Sequence, residues 1–438
     1  MLQTSSRFPW KQVHFVGIGG VGMSGLARLL VAEGGAVSGS DLEESSYTRR
    51  LRGLGVVISI GAHAAEHVPD STELLVYSSA VSAENPERVK ATELGIRQCR
   101  RGEFLAELAS YFPRLVAIGG SHGKTSVTSM IAWVLKECAV PACWIIGGEP
   151  IGLEPAGHCP GADILVTEAD ESDGTLACLQ PEIGLLLNAE DDHSWSNGGD
   201  SGLALAFRRF CLNSRWLVYG RGGMADAAAA GLPEAIALDP HDATIGVEVP
   251  QLGRHNRFNA RVALLAAKRL GVDEAAARAA LARFPGVKRR ATIHLQCPGL
   301  TLIEDYAHHP TELKAFVQSL SEARPGSYVL AIFQAHRYER VEKYGTEFAE
   351  ILRAFDRVLY TPPFAAWIPH DQVPPMERLA AITGPSAEVL KSEDWEAHAH
   401  HLLALLPPGR EIVIAVIGAA TVTRIIPHLL KGLEGRGQ

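Results

Sequence analysis

The chain has 438 residues, 47% hydrophobic and 21% charged, the composition of a globular protein long enough for two to four domains with sizeable cores. Its formal net charge of −8, with no basic run longer than a few residues, argues against nucleic acid as a partner and leaves only local basic pockets for anionic ligands. The seven cysteines include no C-x-x-C pair, Met1 to Trp10 lack an apolar h-region, and the apolar stretch Ile412 to Val422 is too short to span a bilayer. A reduced cytoplasmic protein is therefore expected, without disulfide staples, zinc ligands, secretion signal or membrane span.

Val13-His14-Phe15-Val16 reads as a strand, Gly17-Ile18-Gly19-Gly20-Val21-Gly22 follows, and a helix runs through Leu30. This is G-x-G-x-x-G between strand and helix, a cradle for a pyrophosphate-containing nucleotide in which Gly17, Gly19, Gly20 and Gly22 let the backbone approach phosphate oxygens. A second strand near Ala36-Val37-Ser38 ends at Asp41, an acidic residue where a dinucleotide enzyme would bind a ribose hydroxyl. The alternation continues through Leu74–Tyr77 and the loop Ser78-Ser79-Ala80. Arg100-Arg101 follow another short strand, and Glu103 to Tyr111 reads as a helix leading into a second domain.

Leu115-Val116-Ala117-Ile118 reads as a buried strand and Val127 to Val140 as a helix. Between them stands Gly120-Ser121-His122-Gly123-Lys124-Thr125. A glycine turn closed by Lys-Thr at a strand-to-helix junction is a phosphate cradle: backbone N–H groups and the positive helix end meet the anion, Lys124 reaches the outer phosphates, and Thr125 ligates Mg²⁺. Ile118 occupies the position of the first glycine in the standard pattern, so this is a shortened variant. Strand Ile164–Thr167 ends in Glu168-Ala169-Asp170-Glu171-Ser172-Asp173, and strand Ile183–Leu187 ends in Asn188-Ala189-Glu190-Asp191-Asp192-His193. Carboxylates at the carboxyl ends of parallel strands suit Mg²⁺, which prefers oxygen ligands. His193 reads as a metal ligand, a base, or a capping or surface histidine.

Gly220 to Val249 reads as surface turns and short strands. Gly253-Arg254-His255-Asn256 opens an Ala-rich helix to Leu270, and a further helix runs from Glu274 to Phe284 with Asp273 as its N-cap. In the third segment, strand Thr301–Ile303 leads to Glu304-Asp305-Tyr306-Ala307-His308-His309. Strand Tyr328–Phe333 leads to Gln334-Ala335-His336-Arg337, and Val358–Tyr360 and Ile412–Ile417 complete a β/α alternation. Arg337 and Arg340, three apart beyond a strand end, share a face if a helix starts there, and arginine forks suit carboxylate or phosphate. The reading for His308 and His309 is an oriented loop holding Asp305 and the Pro310 turn.

These motifs, in this order and over nearly the whole chain, resemble the Mur ligases, ATP-dependent amide-forming ligases of peptidoglycan precursor synthesis. The resemblance is nearest to the branch that joins L-alanine to UDP-N-acetylmuramate. It implies an α/β architecture of three domains: a Rossmann-like uridine-nucleotide domain over 1–107, a central phosphate-loop ATPase domain over 108–297, and a Rossmann-like C-terminal domain over 298–438. Such an enzyme is a cytoplasmic monomer or homodimer. By the same resemblance ATP lies on Gly120, Ser121, His122, Gly123, Lys124 and Thr125, with Asn256 at adenine, Arg290 at phosphate and Asp305 at ribose. Thr125, Glu168 and His193 hold Mg²⁺ directly or through water. Gly17, Gly19, Gly20, Gly22, Asp41, Ser78 and Ser79 face the uridine nucleotide, and His336, Arg337 and Arg340 face the muramyl substrate. Lys124, Glu168, His193, Arg337 and Arg340 are the implied catalytic group.

Several positions depart from the family pattern. Ala291 follows the paired arginines where an aromatic is usual, Ala335 replaces a proline, and Gly418-Ala419-Ala420-Thr421 replaces a more glycine-rich acidic turn. No lysine occurs between His193 and Lys268, so the carbamylated lysine of several other Mur ligases has no counterpart, as in the alanine-adding branch. Three other readings compete. A nicotinamide dehydrogenase would use Gly17–Gly22 and Asp41 but leaves the Lys124-Thr125 loop unexplained. A non-catalytic nucleotide-binding derivative is the second, and a paralogous ligase for another amino acid or a recycled peptide the third.

Overall fold

The structure, a computed structural model, describes residues 7–171, 173–190, 200–242, 246–365, 373 and 375–434. It contains three α/β sheets in series. The first comprises β1 (Gln12–Val16), β2 (Ala36–Asp41), β3 (Val57–Ile60), β4 (Leu74–Tyr77) and β5 (Arg97–Arg100), all parallel in the order β3-β2-β1-β4-β5. Because β1 sits between β2 and β4, the loops after these three strands converge at one end of the sheet, the switch point where such sheets bind ligands.

The second sheet comprises β6 (Arg114–Gly119), β7 (Ala142–Ile145), β8 (Ala156–Gly157), β9 (Ile164–Glu168), β10 (Ile183–Leu186), β11 (Trp216–Gly220) and β12 (Ile236–Leu238). The order is β12-β11-β10-β6-β9-β7-β8, parallel except for the β7–β8 pair. Strand β6 is central, with Ile118 paired to Glu168 on β9 and Gly119 to Leu186 on β10. Leu115 to Ile118 are all buried, as expected of a parallel strand covered on both faces.

The third sheet comprises β13 (Thr292–Cys297), β14 (Leu300–Asp305), β15 (Tyr328–Phe333), β16 (Arg357–Tyr360), β17 (Ala387–Val389) and β18 (Ile412–Ile417). The order is β13-β14-β18-β15-β16-β17, parallel except for the antiparallel edge strand β13. Its two faces carry separate cores, one around Phe316, Phe333 and Phe348, the other around Leu302, Leu402 and Leu429.

The chain divides into two compact units, Met1–Pro250 with Arg257–Pro285, and Gln251–Asn256 with Gly286–Gln438. One continuous core in the first unit runs from Phe15, Val76 and Phe104 of the first sheet and its cover to Leu165, Leu186 and Phe210 of the second. All seven cysteines are free, and among the described residues no helix is long and apolar enough to cross a membrane.

Local differences from the sequence expectations have physical causes. The helix after the phosphate loop spans Lys124–Glu137, beginning three residues before the apolar periodicity does, because Gly123 at φ 86° turns the chain directly into it. Gly223–Ala229, expected as turns, is a helix whose Ala225, Ala228 and Ala229 join the core, small residues at helical spacing giving a weak apolar signal. Helix Glu274–Leu281 stops at Leu281 rather than Phe284, while Asp273 caps it as expected, accepting from the Ala276 N–H at 3.0 Å.

Candidate active site

The phosphate loop is built between the carboxyl ends of β9 and β10. Gly120 has φ 132°, and a Cβ there would lie 3.0 Å from the Asn188 carbonyl oxygen, so glycine lets the loop pass under the end of β10. Asn188 clamps the loop: its Oδ1 accepts from the His122 N–H at 2.9 Å and its Nδ2 donates to the His122 carbonyl at 3.0 Å. Ser121 completes the attachment, its hydroxyl donating to the Glu190 carbonyl at 3.1 Å and accepting from the Glu190 N–H at 2.9 Å.

Lys124, Thr125 and Glu168 are brought together. Lys124 Nζ donates to the Gly120 carbonyl at 2.6 Å and to Glu171 Oε2 at 2.8 Å. Thr125 Oγ1 donates to Glu168 Oε2 at 3.1 Å, and Glu168 Oε1 accepts from the Gly147 N–H at 2.5 Å. Burial opposes the charge on Lys124, yet Glu171, Asp170 and Glu168 hold its ammonium above the ordinary lysine value. Burial pushes the Glu168 carboxyl up, against the Gly147 N–H, Lys124 and Thr125, so a cation beside it would favour its ionised form. A hydroxyl and a carboxylate in contact next to a phosphate cradle are an oxygen donor set that fits Mg²⁺. His193 lies outside the described residues.

In the first sheet, the Gly17 and Ile18 N–H groups both donate to the Ser40 carbonyl, at 2.9 and 3.0 Å. Gly17 has φ 84°, and a Cβ there would lie 3.2 Å from Ser78 Cβ, which brings the turn against the loop after β4. Asp41 Oδ2 accepts from the Gly19 N–H at 2.7 Å, so this carboxylate holds the glycine turn itself. Gly20 caps helix Val21–Ala32 without a side-chain bond, and Ser79 is exposed beyond Ser78. Ser40 Oγ donates to the buried Glu87 carboxylate, which also meets His14 at 2.7 Å and His63 at 2.6 Å and so supports the turn from below.

In the second unit, Asp305 ends β14 and accepts from the Ala291 and Ala307 N–H groups, each at 2.8 Å; burial pushes its carboxyl up to about 6 despite Arg290. Arg290 pairs with Glu312 at 3.0 Å and lies over the Tyr306 ring, which Arg289 covers as well. His336 stacks on Phe364 with ring centroids 5.6 Å apart, and Arg340 Nη1 approaches His336 Nδ1 at 3.4 Å. Burial, then His308 and the nearby arginines, push His336 down to about 3, so the ring is neutral. Arg337 sits at φ 69° as the N-cap of helix Tyr338–Leu352, the helix start expected there. Asn256 is buried and donates from Nδ2 to the Leu252 carbonyl at 2.8 Å.

Two family models match the chain: "Mur ligase family, catalytic domain" over residues 12–113 and "Mur ligase, glutamate ligase domain" over 289–419. UDP-N-acetylmuramate–L-alanine ligase of Desulforamulus reducens is 34% identical over 97% of this chain and 98% of its own length. The ligase of the same name from Anaeromyxobacter sp. is 35% identical with the same coverage. The chain belongs to the Mur ligase family. Among solved structures, UDP-N-acetylmuramate-alanine ligase of Thermotoga maritima matches with a TM-score of 0.80 at 24% identity over 97% of this chain and 99% of that one. A murein peptide ligase from Psychrobacter arcticus matches at 0.67 and 21%, covering 97% and 98%. These two likenesses establish the three-domain Mur ligase fold.

The motifs do not single out some residues of this Mur ligase site. Glu171 is the buried partner of Lys124. Asn259, buried on helix Arg254–Arg269, has Oδ1 3.1 Å from where a Gly123 Cβ would stand. One turn separates it from Asn256, so an amphipathic reading of that helix with two buried amides would have singled it out. Glu87 and His14 stand 73 residues apart and no local pattern joins them.

Proposed function

We propose that this protein is an ATP-dependent amide ligase that joins L-alanine to the carboxylate of UDP-N-acetylmuramate. The observation that carries the proposal is the contact set at the phosphate loop, Lys124 against Glu171 with Thr125 against Glu168, in a chain that matches ligases of this name over 97% of its length. A carboxylate is a poor electrophile and must be activated. Its oxygen attacks the γ-phosphorus of ATP, the γ-phosphoryl bond to ADP breaks, and the amine of alanine then displaces phosphate from the acyl phosphate. The first step is phosphoryl transfer, which needs positioning and charge neutralisation more than covalent help.

We read 1–107 as the uridine-nucleotide domain, 108–297 as the ATPase domain and 298–438 as the C-terminal domain. Lys124 leaves Glu171 to neutralise the outer phosphates, and the N–H groups of Gly120 to Thr125 hold the phosphate oxygens. Thr125 and Glu168, with His193, would hold Mg²⁺, which when bound supplies charge neutralisation at the β- and γ-phosphates. Arg337 and Arg340 bind the muramyl carboxylate side, and Gly17, Gly19, Gly20 and Gly22 the uridine diphosphate. Asn256, Arg290 and Asp305 take the adenine, phosphate and ribose of ATP. The test is ATP-dependent phosphate release with UDP-N-acetylmuramate, screened over single amino acids. L-alanine is expected to give the highest kcat/KM. Release that is independent of the uridine substrate, or highest with another amino acid, overturns the assignment.

A further inference from the structure

The guanidinium of Arg101 lies between the first glycine motif and the acidic segment after β9. Arg101 opens helix Arg101–Ala109 directly after β5, and its Nη2 is 2.5 Å from Asp173 Oδ2 and 3.3 Å from Asp170 Oδ2. The same guanidinium rests on the first turn of helix Val21–Ala32: a Cβ on Gly22 would lie 2.5 Å from Nη1 and 3.3 Å from Cζ. The third glycine of the first motif is therefore open to an arginine that also holds the acidic segment after β9. The neighbouring Gly102 packs as closely, since a Cβ there would lie 2.5 Å from Thr175 Oγ1 and 3.0 Å from the Asp173 carbonyl. Thr175 is itself tied to Asp173 Oδ1 by its N–H at 3.1 Å and its hydroxyl at 2.5 Å.

The charges make this contact more than packing. Helix Val21–Ala32 has no acidic residue in its first turn, so Arg101 places a cation at the positive end of a helix, an unfavourable position in isolation. Asp170 and Asp173 offset it. An anion bound at that helix end would share the same guanidinium. On the other side, Asp170 contributes with Glu171 to the field that holds the Lys124 ammonium charged.

We propose that Arg101 is a positioning residue that couples the two nucleotide sites, so that a uridine diphosphate at Gly17–Gly22 tightens ATP binding at Gly120–Thr125 and the reverse. The inference rests on the assignment of those two nucleotides under Proposed function. A diphosphate fixes the guanidinium, the guanidinium fixes Asp173 and Asp170, Asp170 acts on Lys124, and the second ligand meets a segment already held in place. Linkage requires the effect to be reciprocal.

Calorimetry on the full chain tests it. The Kd of UDP-N-acetylmuramate is measured with and without a saturating non-hydrolysable ATP analogue and Mg²⁺, then the converse. In the parent each ligand is expected to tighten the other by about tenfold, within the usual range of allosteric coupling. In Arg101→Met and in Asp173→Asn, each with an intact melting transition, the factor is expected to fall below about twofold, and Arg101→Lys to lie between. Should Arg101→Met fail to fold, Asp173→Asn and Arg101→Lys carry the test. A parent that binds neither nucleotide refutes the assignment of the motifs. A parent that binds both without coupling, or a coupling factor unchanged in the folded variants, refutes the role of Arg101 alone.

Discussion

Lys124 and Glu171 form an ion pair at 2.8 Å with side chains 14% and 1% exposed, so the lysine of the phosphate loop is held by a carboxylate almost wholly withdrawn from water. Forty-seven residues separate them. The pair keeps the ammonium charged and aimed into the loop, and under the proposed function ATP phosphates would compete with Glu171 for it.

Lys124→Ala should lower phosphate release by roughly 10²–10³-fold or more, the usual loss for one electrostatic partner of a transition state. It should also destabilise the first unit, by about 3–5 kcal/mol, because Glu171 is left as a buried charge without its cation. Lys124→Ala combined with Glu171→Gln should recover much of the melting temperature and none of the activity. A double variant no more stable than Lys124→Ala would show that Glu171 is not the cause.

Ser121 joins the loop to Glu190 through a bond in each direction. Ser121→Ala removes both, leaving a part-buried N–H and C=O to find other partners at about 1–3 kcal/mol. The expected result is a KM for ATP raised several-fold with uridine-nucleotide affinity unchanged. Ser121→Thr keeps the hydroxyl and should stay within about twofold of the parent. Equal KM values in the Ala and Thr variants would remove the hydroxyl from the account.

Glu168→Gln keeps the shape of the side chain and its acceptor for the Gly147 N–H but removes the charge opposite Thr125. A Mg²⁺ titration of phosphate release should shift to higher concentration by about tenfold or more, as for losses around a metal's ligands. A superimposable titration would make Glu168 a structural group.

The pH response of the second unit should depend on His336. Its folded value of about 3 lies below the ordinary 6.5, so between these values the unfolded chain binds the extra proton and stability falls as pH falls. Asp305, raised from 3.8 to about 6, acts oppositely: its unfolded form loses the proton first, and stability falls as pH rises through that window. Each slope is bounded by about 1.4 kcal/mol per pH unit. Between pH 6 and 4 the two partly cancel in the parent. His336→Gln should therefore gain stability relative to the parent on acidification, read as the difference between melting curves, and parallel curves would contradict the buried neutral ring.

What the sequence by itself determined was local. The apolar runs Leu115–Ile118, Tyr328–Phe333 and Ile412–Ile417 specify buried parallel strands, and the glycines at 17, 120 and 123 specify turns that only φ above zero allows. With Lys124 and Thr125 at a helix start, these specify two glycine turns at strand-to-helix junctions, because backbone sterics and strand burial act over a few residues. Weakly apolar elements were less legible: the Ala helix Gly223–Ala229 and the edge strand β13 become regular through neighbours far along the chain.

Tertiary structure alone decided which charged and polar groups meet. Strand order places β9 and β10 on either side of β6, and this puts Glu168 on Thr125, Glu171 on Lys124 and Asn188 on His122 at separations of 43, 47 and 66 residues. It also turned Asp41 onto the Gly19 N–H and set Arg101 between Gly22 and Asp173. Such pairings leave no periodic trace, since a carboxylate on a loop reads the same whether it faces water or a buried lysine. The energy that selects them comes from removing charges from water together, which happens only once the sheets have formed.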